Sequence, residues 1–446
     1  MSDIKFSKIA QVIRERIELG EYPPSSKLPT HRVLAAELDT TPATVSKAYK
    51  LLADEGKLES FVGRGTFVCG KSDLNLAIQA PEEEEHYNFS ILQPCLHKNV
   101  GPLKNAYQVA ADKLSADLIG YAEHSGHEAH RKAGVKWAQH FGLKGGTTSN
   151  TVLVDGAQHA LSVLINLLTK PGDTIAVEAL TYPGILAVAR LSGRNVVGVE
   201  MDEHGVIPSE LDKVIRANKP KLMVVVPSHQ NPTGITMPET RRQSIAKVIE
   251  KHSTWLLEDD IYCFLDETAI PAISNFIPEK AFHISSLSKA ISPAMRCGYI
   301  KAPDSQLPML NAHIRANIWL SSPINYLAAT QLIESGEAFQ IAEAQRKSAF
   351  ERQELARKVM PSIQCRATGY HIWLPLTKSW KSDQLTLEAK NKGVLVSSGN
   401  YFDVEGNETH HIRLSLMSIS TETRLQEGLG ILKDLVNSES GALLPF

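Results

Sequence analysis

Residues 286–299 place one lysine among groups that suit covalent chemistry at an amine. The run reads SLSKAISPAMRCGY, so Lys289 follows Ser286 and Ser288 and precedes Arg296 by seven residues. An amine that forms an imine must be neutral part of the time, and a nearby cation favours the neutral form. The two hydroxyls and the guanidinium also suit a phosphate ester. Because a lysine in such a run can equally be a solvated surface charge, this run alone leaves both interpretations open.

Four other motifs follow predicted strands and contribute polar or aromatic groups at the strand ends. Residues 155–161 (DGAQHAL) open a helix, and backbone N–H groups at a helix N-terminus bind phosphate well. In an open α/β sheet, ligands bind outside the carboxyl ends of the strands, so these motifs are expected to converge on one site. The candidate groups are Ala157 and Gln158 at the helix start, the ring of Tyr182, the amide of Asn231, and Asp259 with Tyr262.

Some of these positions have competing interpretations. Asp260 is adjacent to Asp259, but the three-residue spacing to Tyr262 favours Asp259. Tyr182 could instead be a core aromatic residue. His159 lies inside the helix-opening motif and is interpreted as a helix-packing residue.

The chain from about residue 88 onward alternates predicted strands and helices. Several strands are short, continuous apolar runs, which is typical of parallel strands buried on both faces, and helical stretches separate many of them, as crossover connections require. The last ~90 residues have the pattern of a smaller α+β unit. The sequence therefore predicts an α/β fold for this region. The predicted strands are residues 151–154, 174–177, 196–199, 222–226, 255–258, 282–285 and 298–301.

On these motifs, residues 88–446 resemble a fold type I, pyridoxal-phosphate-dependent aminotransferase of the subgroup that includes kynurenine and aminoadipate aminotransferases. The resemblance implies a mostly parallel seven-stranded sheet, a small C-terminal α+β subdomain and pyridoxal phosphate as the cofactor. It implies that Lys289 holds the cofactor as an imine, and that Asp259 keeps the pyridine nitrogen protonated so that the ring can withdraw electrons. The other implied cofactor contacts are Asn231 and Tyr262 at the phenolic oxygen, Tyr182 stacked on the ring, and Ala157, Gln158, Ser286, Ser288 and Arg296 around the phosphate.

Two further residues take their roles from the same resemblance. Tyr121, in the run GYAEHSG at residues 120–126, matches the tyrosine that reaches the phosphate in the partner subunit, which implies a homodimer. Arg413, in the run HIRLS at residues 411–415, matches the arginine that binds the substrate α-carboxylate. A guanidinium is a natural bidentate partner for that group. Arg413 could instead be a strand arginine that pairs with an acid.

Residues 1–69 have a different pattern, in which helices are followed by a short hairpin. Thr30 and Thr41 are placed to cap the second and third helices. Pro42 suits the first turn of the third helix. The other predicted features are an inward-facing Val33, Leu34 and Leu38 in the second helix, and strands at residues 58–61 and 66–68.

Residues 7–68 resemble the winged helix-turn-helix of GntR-type regulators, through the runs LPTHRVLAAEL, TVSKAY, LADEG and GRGTFV. Local charge does not support this independently, because residues 1–69 hold ten Lys and Arg against nine Asp and Glu. In such folds the recognition helix enters the major groove, and a wing-tip arginine fits a minor groove. Pro42 and Ser46 replace basic residues that are common in relatives, which leaves base recognition open. The implied DNA contacts are Arg32, Thr41, Thr44 and Lys47 on the helices and Arg64 at the wing tip.

Residues 70–87 are predicted to be a linker, because they contain four adjacent glutamates that repel one another and are most stable in water. The five cysteines are far apart and predict neither a disulfide framework nor a metal site. The N-terminus lacks a signal-peptide core, and no apolar run approaches the ~18 residues that a membrane span needs. We therefore expect a cytoplasmic protein without a membrane partner.

The order of these parts resembles that of the MocR family of bacterial regulators. That family joins a GntR-type domain, here residues 1–69, through a linker, residues 70–87, to an aminotransferase-like domain, residues 88–446. The resemblance implies a head-to-tail swapped homodimer that binds a double-stranded DNA operator and senses pyridoxal phosphate or an amino-compound effector. Two alternatives stay open: a catalytically active aminotransferase with an appended DNA-binding domain, and a cofactor-free scaffold that binds DNA constitutively. The sequence decides neither transaminase activity nor the identity of the effector.

Overall fold

The computed structural model describes residues 2–18, 21–22, 26–55, 57–61, 65–68, 86–121, 125–361, 363 and 368–438. The chain divides into two compact units, Met1–Leu76 and Ala77–Phe446. The predicted domain limits at residues 69 and 88 remain predictions, because residues 69–85 lie outside the described part of the chain.

The described residues of the N-terminal unit form helices and one antiparallel hairpin, in the order that the sequence predicts. Leu28, Leu34, Val45, Leu52 and Leu58 are buried together in its core. Its elements are α1 (Ser2–Glu18), α2 (His31–Glu37), α3 (Pro42–Asp54), β1 (Leu58–Phe61) and β2 (Gly65–Val68).

Threonine side chains begin two of these helices. Thr30 Oγ1 accepts a hydrogen bond from the Val33 amide at 3.5 Å, and Thr41 Oγ1 accepts one from the Thr44 amide at 3.3 Å. Both predicted caps are therefore confirmed. The predicted inward position of Val33 is wrong, since its side chain is 58% exposed. Leu34, one residue further along α2, is rotated from Val33 by about 100° and lies in the core as predicted.

In addition to its central sheet, the larger unit contains several short strands and a series of helices. Its strands are β3 (Tyr87–Asn88), β4 (Thr151–Val154), β5 (Thr174–Glu178), β6 (Asn195–Val199), β7 (Met201–Asp202), β8 (Gly205–Val206), β9 (Leu222–Val225), β10 (Trp255–Asp259), β11 (Ala281–Ser286), β12 (Gly298–Lys301), β13 (His371–Pro375), β14 (Val394–Leu395), β15 (Ser397–Ser398) and β16 (His411–Ser415). Its helices are α4 (Leu96–Asp112), α5 (Ala116–Ile119), α6 (Glu128–His140), α7 (Gly156–Leu168), α8 (Pro183–Leu191), α9 (Pro208–Asn218), α10 (Glu239–Glu250), α11 (Leu307–Asn317), α12 (Pro323–Glu334), α13 (Glu337–Val359), α14 (Ser382–Asn391) and α15 (Glu422–Asn437).

A seven-stranded sheet organises this unit, in the order β4-β12-β11-β10-β9-β5-β6. Strand β12 is antiparallel to β11 and β4, and the other neighbouring strands are parallel. Every residue of β4, β9, β11 and β12 is buried, because helices cover both faces of the sheet. The predicted mostly parallel seven-stranded sheet is confirmed. Its parallel strands direct their carboxyl ends to one edge.

A smaller α+β subdomain follows, as predicted. Strands β13, β16 and β15 form an antiparallel sheet, and β14 pairs with β3 in parallel. Residues 87–88 therefore join the same subdomain as the C-terminal part of the chain, although Tyr87 and its partner Val394 are more than 300 residues apart in sequence. Within the described residues, no helix combines the length and the apolar character that crossing a bilayer requires.

Candidate functional site

A cavity of about 160 Å³ lies at the carboxyl edge of the central sheet. Side chains from the ends of β9, β10 and β11 line it, together with the start of α7 and the middle of β16. Most of the predicted cofactor and carboxylate residues converge there, from segments that are far apart in sequence. The predicted residues in the lining are Ala157, Gln158, Tyr182, Asn231, Asp259, Tyr262, Ser288, Lys289, Arg296 and Arg413.

Lys289 follows β11 and extends its amine into this cavity. Its Nζ donates a hydrogen bond to the Leu92 carbonyl at 2.7 Å. Burial, with the Arg413 and Arg296 guanidinium groups, lowers the pKa of Lys289 to about 8 against the opposing attraction of Asp259. The sequence emphasised Arg296, but burial and Arg413 have the larger effects. About a tenth of the amine is consequently neutral, and able to act as a nucleophile, at about pH 7.

Asp259 ends β10 and faces the cavity, with 3% of its surface exposed. Its Oδ1 has no hydrogen-bond partner within the described residues. Burial, reinforced by the neighbouring Asp260, raises the pKa of Asp259 to about 7 against the opposing effects of Lys289 and His283. The site therefore contains one carboxyl group that lacks a partner for its buried oxygen.

Asp260 has a different environment, although it is adjacent in sequence. Its Oδ2 lies 3.8 Å from Arg242 Nη1 and 3.7 Å from His283 Nε2. Burial acts to raise the pKa of Asp260, but His283 and Arg242 outweigh it and hold that pKa below its ordinary value. Only Asp259 lines the cavity, so the geometry supports the choice of Asp259 that the spacing to Tyr262 favoured.

Tyr182 and Tyr262 place two aromatic rings at the cavity. Burial raises the pKa of Tyr182 to about 12 and raises that of Tyr262 as well, so both phenols stay protonated. Gly184 gives the Tyr182 ring its space: a Cβ at residue 184 would lie 2.2 Å from the ring and 2.6 Å from Gln158 Oε1. The glycine after Tyr182-Pro183 is thus a steric requirement of the site.

The start of α7 lies beside Arg296. Gly156 has φ +79°, and a Cβ there would lie 2.7 Å from Arg296 Nη2, so this backbone position needs glycine. Arg296 Nη2 donates to the Asp155 carbonyl at 2.7 Å. Ser288 lines the cavity nearby, whereas Ser286 does not: its hydroxyl donates to the Cys297 carbonyl at 3.0 Å. Ser286 therefore lies behind the residues that line the cavity, whereas the sequence placed its hydroxyl at the phosphate.

Arg413 is buried in the middle of β16, with 3% of its surface exposed. Its guanidinium donates to Asn231 Oδ1 at 2.9 Å, to Ser397 Oγ at 3.0 Å and to the Ser90 carbonyl. Its Nε has no hydrogen-bond partner within the described residues. Burial lowers the pKa of Arg413 to about 10. The hydrogen-bond acceptors of this arginine are neutral oxygens, and it forms no ion pair with an acid in the described part of the chain. Its positive charge is therefore available to a carboxylate ligand.

Sequence reasoning gave no role to Glu178, the last residue of β5. This side chain is fully buried and accepts hydrogen bonds from the Val226 amide at 3.2 Å and from Gln230 Nε2 at 3.0 Å. Burial raises the pKa of Glu178 to about 8. Glu178 thereby fixes the loop that carries Asn231. The available signal was a charged residue ending the apolar run TIAVE.

Tyr121 does not line this cavity. Its side chain is 82% exposed, and its ring lies 5.5 Å from that of Trp319. Residues 122–124, which follow it, lie outside the described residues.

The predicted DNA-contacting residues of the N-terminal unit are mostly at its surface. Arg32, Thr41 and Lys47 are exposed, on α2 or at the start and outer face of α3. Thr44 is half-buried, and its hydroxyl lies 2.9 Å from that of Thr41. Arg64 lies outside the described residues.

Comparison with known proteins identifies both units. Residues 84–432 match the family Aminotransferase class I and II, and residues 5–68 match Bacterial regulatory proteins, gntR family. The uncharacterized HTH-type transcriptional regulator YdeF of Bacillus subtilis (strain 168) is 28% identical over 441 residues, which cover 97% of this chain and 94% of that protein. The HTH-type pyridoxine biosynthesis transcriptional regulator PdxR of Corynebacterium glutamicum is 27% identical over 312 residues, or 68% of this chain and 67% of its own.

A solved structure has the same fold as the larger unit. Pyrococcus horikoshii kynurenine aminotransferase superposes with a TM-score of 0.73 at 19% identity, covering 83% of this chain and 97% of that one.

Proposed function

The chain belongs to the aminotransferase class I and II family and bears an N-terminal domain of the bacterial gntR regulatory family, and from this premise we propose that it is a DNA-binding transcriptional regulator that senses pyridoxal phosphate or an amino compound. The predicted family and fold class are confirmed, and this domain order is consistent with MocR-type regulators. One observation carries the sensing proposal: the Lys289 amine shares a cavity with the buried Arg413 and with Asp259, whose Oδ1 has no hydrogen-bond partner within the described residues. DNA binding further implies that the protein acts in the cytoplasm.

Pyridoxal phosphate is the cofactor of this family, and the cavity fits it. A protonated ring nitrogen would supply the hydrogen bond that Asp259 Oδ1 lacks. The positive-φ turn at Gly156 opens α7 beside Arg296, so backbone N–H groups and a guanidinium are available to a phosphate. When bound, the cofactor supplies a carbonyl carbon that amines attack and a ring that withdraws electrons.

The remaining roles follow the predictions from sequence. Lys289 attaches the cofactor covalently, Asp259 holds a proton at the ring nitrogen, and Tyr182 packs on the ring. The proposed contacts to the phenolic oxygen are Asn231 and Tyr262, and those around the phosphate are Ala157, Gln158, Ser288 and Arg296, with Ser286 in the same turn.

Arg413 makes an amino acid, or another amine that carries a carboxylate, the favoured class of effector. A buried guanidinium with neutral partners has strong affinity for a carboxylate. An amine that took the place of Lys289 would leave the lysine amine free. Each ligand can shift the regulator only by its differential affinity for the two states. The pyridoxine biosynthesis regulator among the relatives supports a link to this cofactor.

The proposed partners are an operator in double-stranded DNA and a second copy of the chain. The exposure of Tyr121 supports a dimer, because a ring outside its own cavity is free to reach a partner's phosphate site. We propose the head-to-tail swapped arrangement that the resemblance to MocR regulators implies. On the DNA side, the proposed contacts are Arg32, Thr41, Thr44, Lys47 and Arg64.

A catalytically active aminotransferase with an appended DNA-binding domain is the second candidate. The presence of Lys289, Asp259 and Arg413 in one cavity favours it, because transamination requires an amine, a proton-holding carboxyl group and a carboxylate-binding cation. Stopped-flow absorbance measurements distinguish the two functions. Rapid conversion of the loaded protein to its pyridoxamine phosphate form, followed by turnover with a common 2-oxo acid, would support the enzyme.

Gel-shift titration of the full chain against the DNA upstream of its own gene tests the regulator. We expect pyridoxal phosphate, or pyridoxal phosphate with one member of an amino acid panel, to change the affinity or geometry of binding. Lys289→Ala should abolish this response. Lys301→Ala is the matched control, because Lys301 is a buried lysine that donates to the Pro278 carbonyl at 2.9 Å, outside the cavity. DNA binding that no ligand changes in the wild type would contradict the proposal.

A further inference from the structure

Residues 86–95, which we name the connecting segment, link the site to the part of the chain that leads to the N-terminal unit. Residues 86 and 87 are the last two residues of the predicted linker, residues 70–87. The segment then passes along the smaller subdomain, crosses the cavity and enters α4. A signal that passes along the chain from the site to the DNA-binding domain must therefore pass through the connecting segment.

The first residues of the connecting segment are held by the smaller subdomain. The Tyr87 amide donates to the Gly393 carbonyl at 2.8 Å, and the Phe89 amide donates to the Leu395 carbonyl at 2.7 Å. Arg424 Nη2 donates to the His86 carbonyl at 3.0 Å, and this guanidinium lies 4.8 Å from the centre of the Tyr87 ring. These contacts anchor the end that is nearest to the linker.

The last residues of the segment are held by the larger subdomain. Gln345 Oε1 accepts from the Cys95 amide at 2.9 Å, and Gln345 Nε2 donates to the Cys95 carbonyl at 3.2 Å. Asn99, at the start of α4, donates to the Ile291 carbonyl at 2.7 Å, two residues after Lys289. This end is therefore fixed next to the cofactor lysine.

Between these two anchors, functional side chains hold the backbone. Arg413 donates to the Ser90 carbonyl, and Lys289 Nζ donates to the Leu92 carbonyl at 2.7 Å. Within the described residues, the bond to Leu92 is the hydrogen bond that fixes the backbone of residues 91–94. The same two cations are the proposed attachment points for the cofactor and for an effector carboxylate.

We propose that the connecting segment transmits the state of the site to the DNA-binding unit, through the exchange of these two hydrogen bonds. The inference rests on the proposed sensing function and specifies its route. It identifies Leu92 and Ser90 as positions whose carbonyl oxygens report on the cofactor and on the effector respectively.

The exchange at Leu92 follows from the protons on Lys289. The Lys289 ammonium must lose one proton before its nitrogen can attack a carbonyl carbon, and the two N–H protons that remain would then leave with the carbonyl oxygen as water. The attached nitrogen would carry one N–H if it regained a proton, in place of the three of the ammonium, and the new covalent bond would set its position. Attachment thus competes with donation to Leu92, whereas an amine that displaces Lys289 restores the donor.

The exchange at Ser90 follows from the geometry of Arg413. Both Nη2 hydrogens serve Ser90 and Ser397, and one Nη1 hydrogen serves Asn231, while Nε has no partner within the described residues. A carboxylate bound in a bidentate manner takes one Nη2 hydrogen, whether it binds through Nε and Nη2 or through Nη1 and Nη2. It therefore displaces the oxygen of Ser90 or of Ser397, for which it is the stronger replacement acceptor. An effector that displaces Ser90 acts on the connecting segment at a different carbonyl from the cofactor.

Hydrogen exchange of the full chain, measured by mass spectrometry, tests the contact without requiring cofactor. The reporting amides are those of Phe89 and Cys95, which flank the bond to Leu92. Loss of a hydrogen bond from a charged donor should speed their exchange by about tenfold in Lys289→Ala. Lys301→Ala, which removes a similar lysine-to-carbonyl bond elsewhere, should leave them unchanged. Equal exchange of these amides in Lys289→Ala and in the wild type would overturn the proposal.

Two ligands separate covalent attachment from simple occupancy. Pyridoxal phosphate can bond Lys289, whereas pyridoxamine phosphate has the same phosphate and ring but no carbonyl group. Exchange at Phe89 and Cys95 should be faster with pyridoxal phosphate than with pyridoxamine phosphate. Borohydride reduction should show attachment of pyridoxal phosphate at Lys289. If the two ligands then gave identical hydrogen-exchange rates at Phe89 and Cys95, the proposed loss of the Lys289 hydrogen bond to Leu92 would be refuted.

A variant outside the site tests transmission. Arg424→Ala removes an anchor at the linker end of the connecting segment and leaves the cavity residues in place. It should bind pyridoxal phosphate as the wild type does but lose most of the ligand-dependent change in DNA affinity. Arg216→Ala, which removes an exposed ion pair with Asp212, is the matched control and should keep the full response. A full response in Arg424→Ala would contradict this route, whereas failure of the wild type to attach pyridoxal phosphate would contradict the proposed function itself.

Discussion

Replacing Asp259 by asparagine should stabilise the cofactor-free protein at alkaline pH while weakening cofactor binding. The carboxyl group is buried at the end of β10, and its Oδ1 lacks a partner among the described residues. Burial, reinforced by Asp260, raises the pKa of Asp259 to about 7. The folded chain therefore disfavours the ionised form. Asparagine has nearly the same size and cannot ionise.

The pH dependence follows from proton linkage. The folded pKa of Asp259 is about 7, above the ordinary aspartate value of about 4 in an unfolded chain. The carboxyl group has no net effect on stability below the unfolded value, destabilises the fold increasingly as the pH rises between the two values, and reaches its full cost above about pH 7. The difference between the folded and unfolded pKa values corresponds to a loss of at most about 4 kcal/mol in the free energy of unfolding. Relaxation of the surroundings reduces this loss, so we expect Asp259→Asn to raise the free energy of unfolding by about 1–4 kcal/mol at about pH 8.5.

Urea unfolding of the cofactor-free protein at about pH 5 and about pH 8.5 measures this gain. The stabilisation by Asp259→Asn should be larger at the higher pH. Asp260→Asn is the matched control: His283 and Arg242 hold the pKa of Asp260 below its ordinary value, so losing that carboxylate should destabilise the fold. An Asp259→Asn gain that is absent at both pH values, or cofactor affinity equal to that of the wild type, would refute the reasoning.

Further substitutions test other parts of the chain. Gly184→Ala should lower cofactor affinity by at least about tenfold in equilibrium dialysis, because the new methyl group would lie 2.2 Å from the Tyr182 ring; unchanged affinity would contradict this steric role. Arg413→Met should still attach pyridoxal phosphate but should no longer distinguish an amino acid from the matching amine without a carboxylate in absorbance titrations. Thr41→Ala removes the cap of α3 and should lower local stability by about 1 kcal/mol, measured as faster hydrogen exchange in that helix. Lys47→Ala should weaken DNA binding and reduce the slope of its salt dependence by about one, whereas an unchanged slope would remove Lys47 from the DNA contacts.

Much of the site could be predicted because its residues follow strands. Parallel strands direct their carboxyl ends to one edge, so motifs at residues 155–161, 178–184, 229–234 and 258–262 had to approach one another once the strands were assigned. The three-residue spacing to Tyr262 was also enough to favour Asp259 over Asp260, and the cavity contains the first and not the second.

Other features leave little trace in a sequence. Lys289 and one Nη2 hydrogen of Arg413 donate to the backbone carbonyls of Leu92 and Ser90, and every residue carries such a group. Ser286 lies two residues from Ser288, yet its hydroxyl serves Cys297, because burial of the turn decides which hydroxyl faces the cavity. Val33 was assigned to the wrong face of α2, since a seven-residue helix gives too few turns for periodicity to define its buried side.

Covalent attachment of pyridoxal phosphate at Lys289 is the step on which both sensing and transmission depend. Borohydride reduction of the loaded full chain, followed by peptide mass mapping, measures it directly. We predict one stoichiometric phosphopyridoxyl group, on the peptide that contains Lys289, and none in Lys289→Ala. A modification spread over surface lysines, or one that persists in Lys289→Ala, would contradict the assignment.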